Sequence, residues 1–274
     1  MFRHLKKRKP LAPPEVFGYD RDVLVALVRR HYDLLVVMGH LHPAALQAPL
    51  EPDGWSDAQL NVDALRALGR SEVVIDLLRH LPYPRAGSGR RADASVHYET
   101  KVLSYLRNTW KPDEMPQEWW DKQSWAMLRL APFDKALPPH MISLTYDEAA
   151  IGCIWIIDTE IGCVYPHGDD YYLYDDAPRE AESQKLWLRA KPVSFTTFFN
   201  SMHEQITRLK IIPCPAAGKH RAAMCKPGDT GAKVVRQLYR EYGWPKQFNK
   251  DGFRRAAVPA RQAALSEEPD WSGA

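Results

Sequence analysis

The segment from Leu137 to Asp170, LPPHMISLTYDEAAIGCIWIIDTEIGCVYPHGDD, constrains this chain more than any other stretch. At its centre Gly152–Ile157 reads GCIWII, an almost unbroken apolar run. A strand without polar alternation has to be covered on both faces, so it belongs in the middle of a sheet. Asp158, Thr159 and Glu160 break the run, and Gly162 supplies a backbone free to turn. Cys163, Val164 and Tyr165 then return as the partner strand of a hairpin. Pro166 has no N–H to donate and is expected to end the pairing. Upstream, Met141–Tyr146 mixes apolar and β-favouring residues and predicts one further strand. Downstream, Lys185–Leu209 reads as one more strand followed by a helix.

That helix has a clear start at Ser194, whose hydroxyl suits an N-cap. Phe195, Phe198, Phe199, Met202, Ile206 and Leu209 follow at three- and four-residue steps, the stripe of a core-facing helix. Asp20–Met38 predicts an earlier helix with a stripe of Val23, Leu24, Leu27, Val28, Leu34, Leu35 and Met38, closed by Gly39. Ser56 or Asp57 can cap a short stretch to Leu68. Ser71 and Glu72 restart a helix through Leu81, buried along Val73, Val74, Leu77, Leu78 and Leu81. Asp229 or Thr230 caps a last helix with Val234, Val235, Leu238 and Tyr239 on one face, stopped by Gly243.

These elements add up to an α+β fold, a small and mainly antiparallel sheet with helices packed around it. Twenty-two prolines, falling between the segments, make it loop-rich. The 274 residues divide into a basic flexible arm (1–16), a single α+β domain (17–256) and a disordered tail (257–274) rich in Ala, Pro and charge. Within the domain a helical lead-in spans 17–100 and the sheet and helix core spans 101–210. A linker at Ile211–Thr230 leads into a C-terminal helical extension at 228–256. The run Lys6–Lys9 in the arm reads as solvated charge, with a nuclear-import address as its alternative.

Composition narrows the function classes. Thirty-seven basic against 34 acidic residues leave no overall field to draw in nucleic acid or an anionic membrane. No apolar run reaches the roughly 18 residues of a membrane helix, and no N-terminal apolar segment reads as a secretion signal. Cys153, Cys163, Cys214 and Cys225 are spaced too widely for a CxxC zinc site, and the first two read as reduced core thiols. A cytoplasmic or nuclear protein is therefore expected. No G-x-S-x-G, H-E-x-x-H or G-x-G-x-x-G occurs. Arg85–Ala94, RAGSGRRADA, lacks the Gly-Lys-Ser/Thr ending of a phosphate loop and reads as a solvated basic loop. His40 and His42, with no Cys, Asp or Glu beside them, read as partly exposed turn residues. Nine tryptophans, four of them at Trp110, Trp119, Trp120 and Trp125, read as packing for a loop-rich core, an aromatic recognition platform being the alternative.

The most unusual polar patch is His167–Asp176, HGDDYYLYDD. Asp169, Asp170, Asp175 and Asp176 with His167 supply the hard ligands of a divalent cation, but the spacing and closing glutamate of an EF-hand are missing, and no metal or cofactor is expected. Carboxylates interleaved with Tyr171, Tyr172 and Tyr174 equally suit a recognition loop for a basic partner. A solvated hairpin tip is the plain alternative. With Asp158 at the hairpin turn, these residues form the candidate binding set.

The order of a hairpin with a D-T-x-x-G turn, V-Y, an acidic loop, a strand and S-F-x-x-F-F on a helix resembles the SUKH superfamily. That group includes yeast cell-wall-synthesis regulators and bacterial immunity proteins against polymorphic toxins. The matching pieces are IWIIDTEIGCVY at Ile154–Tyr165 and PVSFTTFFNSM at Pro192–Met202. LLRHLPYP at Leu77–Pro84, LPPHMISLT at Leu137–Thr145 and YREYGWP at Tyr239–Pro245 also resemble a set of filamentous-fungal proteins. The resemblance implies an α+β binding or scaffold fold with no common catalytic residues. The function expected is thus an intracellular protein-binding or scaffold module without catalytic activity of its own. Its partner would be a protein of basic character. No membrane is expected, nucleic acid is disfavoured, and a small molecule stays open. The alternative is an enzyme whose site assembles from distant residues around the His167–Asp170 loop, with His167, Asp158 and Asp169 as its first candidates.

Overall fold

Alternation along one hairpin decides where the remaining elements sit. The computed structural model describes residues 16–50, 52–85, 95–106, 137–147, 152–168, 190–218 and 220–267. In chain order these form α1 (Arg21–Val37), β1 (Leu46–Gln47), α2 (Val62–Ala67), α3 (Glu72–His80), β2 (Tyr83–Pro84), β3 (Ser95–His97) and β4 (Thr100–Val102). There follow β5 (Met141–Ser143), β6 (Thr145–Asp147), β7 (Ile154–Asp158), β8 (Cys163–His167), β9 (Val193–Ser194) and α4 (Phe195–Thr207). The chain closes with β10 (Ile212–Cys214), β11 (Ala223–Cys225), α5 (Ala232–Glu241) and α6 (Lys250–Ser266). The fold is α+β. Among the described residues a four-stranded sheet runs β5-β7-β8-β9, a three-stranded one runs β3-β4-β6, and β1-β2 and β10-β11 form pairs, all antiparallel.

Both faces of the four-stranded sheet are covered. Trp155, Ile157 and Val164 point into the main core with Ile142 and Val193. Their neighbours Ile154, Ile156, Cys163 and Tyr165 point the other way, into a smaller cluster with Leu137, Met141 and Ala190. Every residue of β7 is buried, as an uninterrupted apolar strand requires. Pro166 does not end the ladder as expected. Trp155 stands opposite Pro166, and His167 opposite Ile154. Antiparallel pairing turns every second N–H away from a given neighbour, so a proline fits where no donor is needed. On its other side, among the described residues, β8 is paired at Cys163 and Val164.

The single strand expected at Met141–Tyr146 is two strands in two sheets. Leu144 is the corner between them. Its N–H donates to the Trp155 carbonyl (2.8 Å) on one side, and its own carbonyl accepts from Leu103 N–H (2.9 Å) on the other. Thr145 stiffens the joint, its hydroxyl accepting from Trp155 N–H (2.8 Å) and donating to the Cys153 carbonyl (3.1 Å). These bonds satisfy backbone groups that a bend would otherwise leave bare.

The helices dock on the Trp155 face. Ser194 caps α4 by accepting from Thr197 N–H (3.2 Å), and the whole predicted stripe from Phe195 to Leu209 is buried. Phe198 and Phe199 meet Trp155 edge-on, with ring centres 5.6 and 5.4 Å away, the arrangement favoured by aromatic quadrupoles. α1 lies against α4 and is capped by Asp20, which accepts from Val23 N–H (3.0 Å). Val23 and Val73, both placed on buried stripes by the spacing, are instead 42% and 46% exposed. Each sits one residue, about 100° of helical turn, round from a buried neighbour, Leu24 or Val74.

Four further expectations are corrected. The lead-in is not wholly helical, because it carries β1 to β4. Ile211–Thr230 is not a linker but holds the hairpin β10-β11. Gly231, at φ 74°, is the N-cap of α5, while the Asp229 carboxylate accepts from Lys226 N–H (2.7 Å) instead. The tail does not begin at Ala257, since α6 continues to Ser266. Phe253, Ala257 and Arg261 recur every four residues on the buried side of α6, and alanine is the best helix former, so the composition that reads as low-complexity packs as a helix. The arm at 1–15 and the tryptophans at 110, 119, 120, 125, 187 and 271 lie outside the described residues. Trp55 and Trp155 are core residues, and Trp244 is partly buried with its indole N–H on the Thr207 carbonyl (2.8 Å).

Candidate functional site

The two described candidates, Asp158 and His167, lie at opposite ends of the β7-β8 hairpin, and the ends differ in chemistry. Asp158 closes the turn end. Its Oδ1 accepts from the N–H groups of Glu160 (2.8 Å) and Ile161 (3.1 Å), a side-chain turn that organises the reversal. The side chain is only 7% exposed. His140 stands alongside, with Nε2 3.3 Å from Glu160 Oε2 and 3.9 Å from Asp158 Oδ2. The His140 carbonyl accepts from both N–H (3.0 Å) and hydroxyl (2.8 Å) of Thr159, which ties the start of β5 to the turn. Gly162, at φ 74°, lets the backbone of Gly18 and Tyr19 cross it, where a Cβ would collide. Asp158 is thus occupied in holding the turn.

His167 ends β8 at the opposite end and is half-buried. Its register partner Ile154 is four residues from Asp158, so the two candidates stand about 13 Å apart at the rise of an extended strand. The structure does not bring them together. Gly168 follows, clamped so closely on the Gly152 carbonyl that a Cβ would collide. The chain is back in the core at Ala190, which is fully buried. Asp169, Asp170, Tyr171, Tyr172, Tyr174, Asp175 and Asp176 lie outside the described residues.

A second polar constellation, missed by motif reading, is buried. His31 on α1 and His40 just beyond it each place Nε2 2.8 Å from a carbonyl of β3, those of Val96 and Ser95. A carbonyl only accepts, so each Nε2 carries the hydrogen and each Nδ1 is bare. Neither Nδ1 has a hydrogen-bond partner among the described residues. Burial holds both imidazoles down at about 4. His97, the last residue of β3, is held at about 3 by burial, with His31 acting in the same sense. These groups are neutral at pH 7, His31 and His97 buried and His40 partly exposed, and they fasten β3. His31 was legible in principle, because it falls three residues after Val28 and four before Leu35 on the apolar stripe of α1. His40 is partly exposed in the bend after α1, as expected, but its bond to the Ser95 carbonyl gave no sign in the sequence.

Arg70, 8% exposed, donates to the carbonyls of Leu137 (2.7 Å), Pro138 (2.9 Å) and Met141 (2.6 Å), fixing the entry to β5. Among the described residues no three His, Cys, Asp or Glu side chains gather where they would hold a metal ion. No helix there is long and apolar enough to cross a membrane.

No family model, curated protein or solved structure matches this chain.

Proposed function

We propose that this protein is a protein-binding or scaffold module that presents the acidic, tyrosine-rich segment Asp169–Asp176 to a basic partner. The observation that carries the reading is the stem. β8 is held between β7 and β9, Gly168 is clamped on Gly152, and Ala190 is sealed in the core. A recognition segment gains affinity when its attachment points are ordered in advance, because less freedom is lost on binding. Tyrosine adds amphipathic contact area at low entropy cost, and clustered carboxylates steer a cationic partner. The order of motifs shared with the SUKH superfamily points the same way. The separation of Asp158 from His167, together with the use of Asp158 in the turn, weighs against an enzyme built on that pair.

The test is capture of a short oligolysine peptide by the full chain at low and physiological salt. Replacing Asp169, Asp170, Asp175 and Asp176 by asparagine is expected to lower capture severalfold and leave the melting temperature nearly unchanged. Capture by the unaltered protein should weaken as salt rises. Undiminished capture by the asparagine variant at low salt removes this segment as the site, and the tryptophan-bearing span 110–125 takes its place.

A further inference from the structure

The β10-β11 hairpin holds a pair of cysteines that the binding reading does not use. In its register Ile212 stands opposite Cys225 and Cys214 opposite Ala223. Opposed residues share a face and so do residues two apart, which puts Cys214 and Cys225 on one face as diagonal neighbours. Both are free thiols. They are not equivalent, since Cys225 keeps 6% exposure and Cys214 none.

The surroundings favour negative charge on the outer sulfur. The Cys214 hydrogen bond lowers the Cys225 thiol below its ordinary value, and Arg261 acts in the same sense against the opposing effects of burial, Asp229 and Glu99. The shared proton and burial push Cys214 up. Arg261 is itself 5% exposed and is held in place by Nη1, which donates to the carbonyls of Pro215 and Arg221 on the same hairpin. A thiol whose proton is more easily lost, near a fixed guanidinium and with a second thiol on the same face of the hairpin, suits an oxidisable dithiol. Cys163 differs. It is pushed up by burial, with Asp158 acting in the same sense, and the β7-β8 register places it opposite Asp158, far from Cys153.

We infer that Cys214 and Cys225 form a reversible redox site, oxidised to an intramolecular disulfide by hydrogen peroxide. The Cys225 sulfur attacks one peroxide oxygen and breaks the O–O bond, leaving a sulfenic acid on Cys225 and releasing hydroxide, which a proton converts to water. The Cys214 sulfur then displaces the hydroxyl from Cys225, and the Cys214 thiol proton leaves with it as a second water. Two thiols lose two electrons in total and one peroxide is reduced to two waters. A dithiol reductant reverses the bond by exchange.

The test uses the full-length reduced protein, treated with hydrogen peroxide, denatured and alkylated. Four alkyl groups are expected before oxidation, matching the four cysteines of the chain, and two afterwards. Trypsin cuts at Lys219 and Arg221, between the two cysteines, so the bond appears as a linked peptide pair that dithiothreitol separates. Trapping with dimedone should label Cys225 in a Cys214→Ala variant and leave Cys214 unlabelled in Cys225→Ala. Mapping in the unaltered protein does not depend on either variant folding. Four alkylatable thiols after peroxide, a linkage involving Cys153 or Cys163, or stable sulfenic acid without a disulfide each overturn the proposal.

Discussion

Arg70 shows how much one residue can decide. Its guanidinium is buried and spends its donors on the carbonyls that lead into β5. Replacing it with methionine keeps much of the apolar bulk but leaves those carbonyls short of donors. The expected loss is about 3 kcal/mol or more, at the upper end for point changes, because several buried polar groups lose a partner at once. Arg70→Lys should recover only part of this, since an ammonium is a compact charge without the planar fork. Equal stability of wild type and Arg70→Met in urea melts would contradict that account. Phe198 tests the aromatic core in the same way. It is fully buried against Trp155 and Phe199, so Phe198→Ala should cost about 3–5 kcal/mol. A loss below about 1 kcal/mol would mean that α4 does not carry the core.

At the scale of elements, β3 is held by imidazoles that must stay neutral. Their folded values, about 4 for His31 and His40 and about 3 for His97, lie below the ordinary 6.5. Between these limits the unfolded chain binds protons that the folded one refuses, so stability falls as pH drops. The loss should begin near pH 6.5, grow until about pH 4 for His31 and His40 and about pH 3 for His97, and be absent above pH 7. Shifts of this size are worth on the order of 3 kcal/mol for His31 and His40 and about 5 kcal/mol for His97. His40→Gln keeps a donor for the Ser95 carbonyl and removes one titration, so its melting temperature should depend less steeply on pH between 6.5 and 4. Parallel pH profiles for variant and wild type would refute the role of His40. The C-terminal helix makes a second test. Truncation after Ala256 removes the buried Ala257 and Arg261, and with Arg261 the donor to Pro215 and Arg221. A lower denaturation midpoint is expected, and an unchanged one would return that stretch to the status of a tail.

Taken whole, the described molecule is organised on the two faces of one sheet. The main core joins α1, α3, α4, α5 and α6 to the Trp155 side of the sheet. The far face, with Leu137, Tyr165 and Ala190, anchors the stem from which residues 169–189 depart. The basic arm makes an independent whole-chain prediction. If Lys6–Lys9 acts as an import address, deleting Met1–Pro10 should move a tagged protein out of the nucleus of its host cell. An unchanged distribution would leave those charges as a solvated tail.

The sequence by itself determined the β7-β8 hairpin, the capped α4 with its aromatic stripe, and hence an α+β protein. Those features are local, because a period of two or of three to four, a turn glycine and a capping serine lie within a few residues of one another. Tertiary structure alone decided the corner at Leu144, the Arg70 clamp, the histidine ties to β3 and the placing of Cys214 and Cys225 on one face. Arg70 and Leu137 are 67 residues apart in the chain, and His31 and Val96 are 65 apart. No periodicity carries that information. The proline in β8 and the alanine-rich C-terminus show the converse, where a correct local preference yields to context. A missing N–H costs nothing where no partner strand needs it, and a composition typical of tails becomes helix once one of its faces is buried.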